Sequence, residues 1–176
     1  MRLKGSAVGS DFAAATGQKP TYRRTLKFFM LNPGFRAVII FRIQNFLSSK
    51  GFIRSSYLVF QLNSLLHGCE FIPGCVVGRN FVVRHPFGIV VGQGAEIGSG
   101  CFLQHGVTLG VSKIGSHPSN SYPRLGDNVE VGTYAVILGG IQIGSGVTVG
   151  AFSLVNKDVP DRVVVAGIPA KIISYK

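Results

Sequence analysis

Three titratable residues have the types and spacing that general acid–base chemistry requires. His85 and His105 lie 20 residues apart, and Glu70 lies 15 residues before His85. An unperturbed imidazole has a pKa near 6.5, so it can take the proton from an acceptor hydroxyl at neutral pH. A neighbouring carboxylate would hold the ring in one tautomer and stabilise the imidazolium. Because no Ser or Cys nucleophile motif accompanies them, the three residues predict direct attack of a hydroxyl on an activated acyl group.

A six-residue hydrophobic repeat supplies the elements that would position these residues. Its period is short and regular, and glycine often follows the aliphatic position, which is typical of a repeat architecture. Each hexapeptide would give one short strand and one tight turn, and three would complete one coil of a parallel β-helix. We predict a mainly β domain over residues 67–176, preceded by a short α-helical N-terminal region over residues 1–66. The repeat positions are Phe71, Val77, Val83, Val91, Ile97, Leu103, Leu109, Leu125, Val131, Ile137, Ile143, Val149 and Val155.

The repeat predicts that His85 and His105 lie together. Each follows a repeat position by two residues, and these positions are one coil apart once a two-residue slip at Pro86–Phe87 is counted. Adjacent strands are about 4.8 Å apart, so both imidazoles should lie on one edge of neighbouring coils. Glu70 begins the first coil and is the candidate supporting acid. The alternative is that all three are outward-facing residues without a catalytic role.

One insertion interrupts the repeat. Sixteen residues separate Leu109 from Leu125 where six are expected, so residues 111–124 should form a loop. A long loop on a rigid scaffold commonly carries function. Tyr122 in this loop is a candidate for contact with the acceptor, and the role of His117 stays open.

Most of the net charge lies in the N-terminal region. Residues 1–66 contain ten Lys or Arg residues and a single acid, Asp11, which gives +9 of the total +11. A basic, aromatic and amphipathic region of this kind can rest on an anionic membrane surface or meet an anionic partner. The alternative is a solvated basic face on an ordinary helical cap. No nucleic-acid-binding motif accompanies the charge, so we expect no nucleic-acid partner.

Helix signals begin near Thr21, and residues 1–19, which lack periodicity, are predicted to form a loose tail. The Asn32–Pro33 pair predicts the start of a helix that Gly51 ends, and a further helix should run to about Leu66. The chain shows neither a signal-peptide core nor the roughly 20 apolar residues of a membrane span. We therefore expect a cytoplasmic protein that is at most peripheral at the inner face of the membrane.

The chain contains three cysteines, Cys69, Cys75 and Cys101, and none forms a Cys-x-x-Cys pair. A metal site usually needs such a pair or a close histidine pair. We predict that the cysteines are small interior residues of the coil, and we predict no metal site.

Several segments resemble the hexapeptide-repeat acyltransferases, with the serine acetyltransferase branch most similar. Besides the repeat, they are His85-Pro-Phe-Gly-Ile-Val-Val-Gly92, Gln104-His-Gly-Val-Thr-Leu-Gly110 and Ala166-Gly-Ile-Pro-Ala-Lys171. The resemblance implies a left-handed β-helix, a homotrimer with active sites between subunits, and acetyl-CoA as donor. It also implies that His85 is the catalytic base and that Glu70 occupies the position of a supporting aspartate.

The resemblance also suggests which residues bind the donor. Thr133 and Ala151 correspond to positions whose backbone lines the acetyl-CoA slot in related sugar acetyltransferases, and they are 18 residues, or one coil, apart. Asn156, Lys157 and Lys171 correspond to positions near the pantetheine and phosphate end of the donor. A lysine there would pair with phosphate charge.

Two departures from the serine acetyltransferase pattern concern the acceptor. Arg84 stands where that branch has an acid for the substrate ammonium, and Ser121–Tyr122 replace an Arg–His pair. The run that begins at His105 resembles acetyltransferases of exopolysaccharide and capsule synthesis. We therefore predict O-acetylation of a saccharide hydroxyl, with Arg84 and Tyr122 at the acceptor site. Serine O-acetylation and a non-catalytic β-helix scaffold are the alternatives.

Overall fold

The computed structural model describes residues 6–113 and 121–176. Within these residues, four helices precede a series of short strands. The helices are α1 (Ala7–Thr16), α2 (Tyr22–Leu31), α3 (Pro33–Ser49) and α4 (Ile53–His67). The strands are β1 (Glu70–Phe71), β2 (Val76–Val77), β3 (Val82–Val83), β4 (Val90–Val91), β5 (Glu96–Ile97), β6 (Phe102–Leu103), β7 (Thr108–Gly110), β8 (Arg124–Leu125), β9 (Glu130–Val131), β10 (Val136–Leu138), β11 (Gln142–Ile143), β12 (Thr148–Val149), β13 (Leu154–Val155), β14 (Val163–Gly167) and β15 (Ala170–Tyr175).

The strands stack into three sheets, one for each side of the coil. Their orders are β1-β4-β7-β10-β13 for the first sheet, β2-β5-β8-β11 for the second and β3-β6-β9-β12-β14-β15 for the third. Repeat positions lie opposite one another, as in the pairs Val83↔Leu103 and Ile97↔Leu125. Every repeat position is buried, which confirms the predicted parallel β-helix. Its last strand, β15, turns back and pairs antiparallel with β14.

The helices begin and end at residues that satisfy their free backbone groups. Asn32 caps α3, since its Oδ1 accepts the Phe35 N–H at 2.8 Å, and Pro33 is the first helical residue. Thr21 caps α2 in the same way. At the other end, α4 stops at Gly68, whose φ of 61° is a left-handed conformation that glycine adopts readily. The predicted starts near Thr21 and at Asn32–Pro33 are confirmed.

The prediction of a loose N-terminal tail is wrong for residues 7–16, which form α1. The cause is Asp11, whose carboxylate is fully buried and pairs with Arg42 Nε at 3.0 Å. The same carboxylate accepts the Phe81 N–H at 2.9 Å, and Arg42 donates to the Val77 carbonyl at 2.7 Å. These contacts join segments up to 70 residues apart, and local periodicity carries no signal of them.

Helix α3 closes the N-terminal end of the coil. The rings of Phe41 and Phe71 have centroids 4.9 Å apart, and Gln44 Nε2 donates to the Phe71 carbonyl at 2.7 Å. The approach depends on Gly34, because a Cβ at this position would collide with the carbonyl oxygen of Val83. Helix α3 and the coil therefore share one buried cluster of side chains.

The outer faces of the helices leave a broad apolar surface exposed. Its side chains are Tyr22, Leu26, Met30, Leu31, Ile43, Phe46, Phe52, Ile53, Tyr57, Leu58, Leu62, Leu65 and Leu66. Exposed cations lie among them along the chain, at Lys19, Arg23, Arg24, Lys27, Lys50 and Arg54. None of the helices that the structure describes is long and apolar enough to cross a bilayer.

Candidate active site

The two histidines lie together on one edge of the coil. His85 follows β3 and His105 follows β6, and these strands are paired neighbours in the third sheet. Their ring centroids are 6.1 Å apart with the planes at 80°, so the predicted juxtaposition is confirmed. We call this edge, where the chain passes from the third sheet to the first, the histidine edge.

A two-residue bulge after His85 is fixed to the coils on both sides. The Gly88 N–H donates to the Gly68 carbonyl at 2.7 Å, and the Gly106 N–H donates to the Phe87 carbonyl at 3.0 Å. A side chain on Gly68 would not fit, because its Cβ would lie 2.7 Å from the Phe87 ring. His85 itself has φ 61°, an unusual conformation for a residue with a side chain. The bulge therefore turns an exposed imidazole outward from a rigid frame.

Glu70 begins β1, the first strand of the coil whose third strand, β3, leads into His85. Its N–H donates to the Ile89 carbonyl at 2.8 Å, and it lies opposite Val90 in the first sheet. Among the described residues, no hydrogen bond or ion pair joins its carboxylate to His85 or His105. Its supporting role therefore stays a prediction.

Two clefts meet at His85, and the helices form one wall of each. A cavity of about 460 Å³ lies between the α2–α3 junction and β3, and Asn32, Pro33 and Arg84 line it with His85. A second cavity of about 480 Å³ lies between the end of α4 and the bulge. The hexapeptide repeat by itself carries no signal of this contribution from the helices.

A buried polar network, also missed from the sequence, lies behind the second cleft. Arg36 Nε donates to His67 Nε2 at 2.9 Å, so the ring proton is on Nδ1, which donates to Asn63 Oδ1 at 2.9 Å. Asn63 Nδ2 in turn donates to the Ala37 carbonyl at 3.1 Å. Burial, and after it the Arg36 charge, holds the pKa of His67 below its ordinary value of 6.5. A neutral His67 thus joins α4 to α3.

The predicted acceptor residues do not converge within one chain. Arg84 is exposed next to His85, and its guanidinium carbon lies 5.8 Å from the centre of the Phe102 ring. Tyr122 precedes β8, on the edge between the first and second sheets, where its ring covers Gly92 and Gly94. Tyr122 is therefore on a different edge from His85. Residues 114–120 of the insertion, with His117, lie outside the described residues.

The predicted donor residues divide between two edges. Thr133 and Ala151 continue the histidine edge below His105, and backbone hydrogen bonds link Tyr134 N–H to the His105 carbonyl and Phe152 N–H to the Thr133 carbonyl. Asn156 and Lys157 follow β13 and lie on the edge between the first and second sheets. Lys171 lies in β15 opposite Ala166, at the C-terminal end of the third sheet.

The three cysteines are buried in the coil interior, in agreement with the prediction. Burial raises the pKa of the Cys69 and Cys75 thiols to about 12 and that of Cys101 to about 11. A thiol with so high a pKa is a poor nucleophile at neutral pH. In the part of the chain that the structure describes, no three His, Cys, Asp or Glu residues form a metal-binding group.

The fold and the histidine edge define a bacterial hexapeptide-repeat transferase, and residues 122–157 match the family model described as bacterial transferase hexapeptide (six repeats). Serine acetyltransferase of Synechococcus elongatus is 36% identical over 94% of this chain and 67% of that protein. Serine acetyltransferase of Helicobacter pylori (strain J99) is 33% identical over 89% of this chain and 91% of that protein. The chain belongs to the serine acetyltransferase family.

Solved structures agree with this assignment. Serine acetyltransferase of Neisseria gonorrhoeae superposes with a TM-score of 0.87 at 32% identity, over 96% of this chain and 64% of that chain. The Brucella abortus enzyme in complex with coenzyme A superposes with a TM-score of 0.87 at 30% identity, over 99% of this chain and 69% of that chain. The Neisseria enzyme has also been solved in complex with serine. The expected left-handed β-helix is confirmed, and this chain spans about two thirds of the length of several relatives.

The prediction of a saccharide acceptor, with its similarity to exopolysaccharide and capsule enzymes, is wrong. Serine acetyltransferases match nearly the whole chain at 32 to 36% identity. The physical reason for the error lies in two residues that were interpreted as one dismantled clamp. Within one chain Tyr122 lies on another edge of the coil and Arg84 packs near Phe102, so the two residue types, taken as a pair, do not identify the acceptor.

Proposed function

We propose that this chain catalyses transfer of an acetyl group from acetyl-CoA to the hydroxyl of L-serine. The observation that supports this most is the pair of histidines on one edge of a coil that belongs to the serine acetyltransferase family. Related enzymes have been solved with serine and with coenzyme A. These relatives and the residues of the histidine edge support the proposed activity, donor and acceptor.

In this mechanism His85 is the general base. Its imidazole takes the hydroxyl proton as the serine oxygen attacks the thioester carbonyl carbon, so the new C–O bond forms without a charged alkoxide. The tetrahedral intermediate then expels the coenzyme A sulfur, which receives the proton from the imidazolium. The products are O-acetylserine and coenzyme A. His105, whose ring lies edge-to-face with that of His85, would border the reacting groups.

The donor would lie along the histidine edge below His105. Thr133 and Ala151 offer backbone groups there, one coil apart. Thr133 Oγ1 donates to Gln104 Oε1 at 2.6 Å, which fixes the side chain beside the slot. Lys171, exposed at the end of the edge, would pair with a phosphate. Asn156 and Lys157, on the neighbouring edge, would contact the donor only from a second subunit.

Arg84 would contribute to acceptor binding by pairing with the serine carboxylate. A guanidinium pairs well with a carboxylate through two parallel hydrogen bonds. Arg84 is exposed, precedes the base directly, and lines the same cleft as His85. Glu70, at the start of β1, would stabilise the imidazolium that forms on His85.

Steady-state assays of thiol release from acetyl-CoA test the proposed function. We expect saturable turnover with L-serine, and we expect this turnover to be lost in His85→Ala. In Arg84→Gln the serine KM should rise while the acetyl-CoA KM stays nearly unchanged. The matched control is Arg162→Gln, an exposed arginine at the far end of the coil. Absence of turnover with L-serine, in a protein that binds coenzyme A, would refute serine as acceptor.

We also propose a homotrimer, in which the flat sheets of neighbouring coils meet and Tyr122 of one subunit approaches the histidine edge of the next. Closed cyclic symmetry favours such an assembly. Light scattering should give three times the chain mass at micromolar concentration. A monomer with full activity would exclude a shared active site.

Finally, we propose that the apolar surface of α2, α3 and α4 rests on an anionic membrane. Its exposed cations face no exposed acid within described residues 6–66, because Asp11 is buried against Arg42. Apolar insertion and attraction to anionic lipid would add together. Vesicles of phosphatidylcholine with phosphatidylglycerol should bind the protein in a salt-sensitive way, and Arg23→Glu with Lys27→Glu should weaken binding. Equal binding to pure phosphatidylcholine, or burial of this surface in a larger oligomer, would contradict the proposal.

A further inference from the structure

Two aromatic residues on the histidine edge adopt a backbone conformation that favours glycine. At this turn, coil after coil, the left-handed position is taken by Gly106, Tyr134 and Phe152, with φ of 72°, 54° and 55°. A bulky side chain rarely adopts this conformation, and where it does the strain often accompanies function. The other described residues with a side chain and positive φ are Asn80, His85, Asn128 and Arg162, of which the two asparagines are of a type that tolerates this conformation.

The rings form a continuous row that begins at the catalytic base. His105 lies edge-to-face with Tyr134 at 5.2 Å, and the rings of Tyr134 and Phe152 are stacked at 5.4 Å with the planes 22° apart. Space for the row is made by Gly106, since a Cβ there would collide with the Tyr134 ring. Burial does not explain these rings, because Tyr134 is 46% and Phe152 64% exposed.

The far end of the row changes from apolar to cationic. Ile168, in the turn after β14, is 74% exposed, and Lys171 follows three residues later in β15. From His85 onward the edge therefore offers a base, then flat apolar surface, then positive charge. Acetyl-CoA has the matching order of groups: a thioester, a pantetheine arm of methyl, methylene and flat amide groups, and a phosphorylated nucleotide.

We infer that Tyr134 and Phe152 form a stacking platform for the pantetheine arm of the donor, an inference that rests on the proposed function. Aromatic faces give large contact area at low entropic cost and accept amide planes and methyl groups. The strained turn holds both rings on the outer surface of the proposed donor site along the histidine edge. Without them, Thr133 and Ala151 would offer the donor only backbone groups and small side chains. The rings are binding residues that increase affinity for the arm, and they take no part in proton transfer.

Glycine substitution separates this role from a structural one. In Tyr134→Gly and Phe152→Gly the strained turn is relaxed, so the melting temperature should stay equal or rise. The acetyl-CoA KM should rise about 5- to 10-fold in each variant, while the serine KM changes little. Asn128→Gly, at a similar φ of 55° on another edge, is the matched control and should leave the acetyl-CoA KM unchanged. Loss of stability with an unchanged acetyl-CoA KM, or a changed oligomer mass alone, would overturn the inference.

A fluorescence experiment identifies the part of the donor that contacts the rings. The chain has no tryptophan, so Phe152→Trp introduces a single reporter. Its emission should respond to acetyl-pantetheine and to acetyl-CoA, and it should respond little to adenosine 3′,5′-bisphosphate. A response to the bisphosphate alone would place the nucleotide on the rings and refute the inference. A silent reporter in a protein that still turns over serine refutes the platform alone, whereas an unmodified protein that binds no coenzyme A refutes the proposed function.

Discussion

The coil and the helical cap (residues 6–67) are stabilised by different kinds of contact. In the coil the interior is apolar, and Ser153 is its single buried polar residue among the described positions. The helical cap holds the other six, which are Asp11, Thr25, Gln44, Ser56, Asn63 and His67. Coil stability is therefore spread over many similar apolar contacts, whereas the position of the cap depends on a few specific polar ones. Since the cap forms one wall of each cleft at His85, these few contacts also shape the site.

The largest effect is expected on the free energy of unfolding, when the buried ion pair between the cap and the coil is removed. Arg42→Ala leaves the fully buried Asp11 carboxylate without its partner, so the free energy of unfolding should fall by about 3–5 kcal/mol. Urea unfolding followed by circular dichroism measures the change. A loss below about 1 kcal/mol would mean that the cap does not depend on this pair.

The next largest effect concerns catalysis on the coil side. His85→Ala should lower kcat for serine acetylation by roughly 100-fold, or about 2.7 kcal/mol in the barrier. The acetyl-CoA KM should stay nearly unchanged because the base faces the acceptor. His105→Ala should cost less, and wild-type turnover in His85→Ala would refute the mechanism.

A smaller effect is expected from pH, and it arises in the cap. The pKa of His67 is lower in the folded chain than its unfolded value of 6.5, so the unfolded state binds a proton first as pH falls. The contribution of a neutral His67 to stability is therefore present above about pH 6.5 and is lost progressively below it. His67→Gln, which keeps an acceptor for Arg36, should flatten the pH dependence of unfolding between pH 7 and 5. Identical curves for the two proteins would contradict this.

The smallest effect is expected on the outside of the coil. The Arg124–Glu96 pair, at 3.3 Å with both side chains about half exposed (47% and 53%), should contribute at most about 1 kcal/mol. Glu96→Ala is therefore the surface counterpart of Arg42→Ala in the same unfolding assay. A loss comparable to that of Arg42→Ala would erase the distinction between the two regions.

Local patterns in the sequence predict the coil well. The side chain of each repeat position points inward because the hexapeptide alone sets its place, so Leu103 and Val131 are buried as expected. The same arithmetic predicts the contact between His85 and His105, since it requires only the count of residues per coil. The β-helix and the closeness of the two histidines were predictable for this reason.

Contacts between distant segments were not predictable in this way. Asp11 joins α1 to a strand turn 70 residues away, and no periodic signal marks it. The spacing of Asn63 and His67, four residues apart on one helix, could have suggested their hydrogen bond, but Arg36 comes from another helix. Tyr122 is predicted at the acceptor site because Ser121–Tyr122 replace an Arg–His pair of the resembling branch, whereas the edge that a loop occupies depends on the three-dimensional path of the chain.

The two departures from the hexapeptide period have a consequence for how such proteins change over evolution. The bulge at Pro86–Phe87 adds two residues and the loop at 111–124 adds ten, yet Val83 still pairs with Leu103 and Ile97 with Leu125. Both additions fall at a vertex of the triangular cross-section, where their length does not alter the phase of the next strand. One residue added within a strand would instead turn the remaining side chains of that strand to the opposite face. Genetic insertions at the vertices can therefore build new binding loops while the solenoid keeps its core.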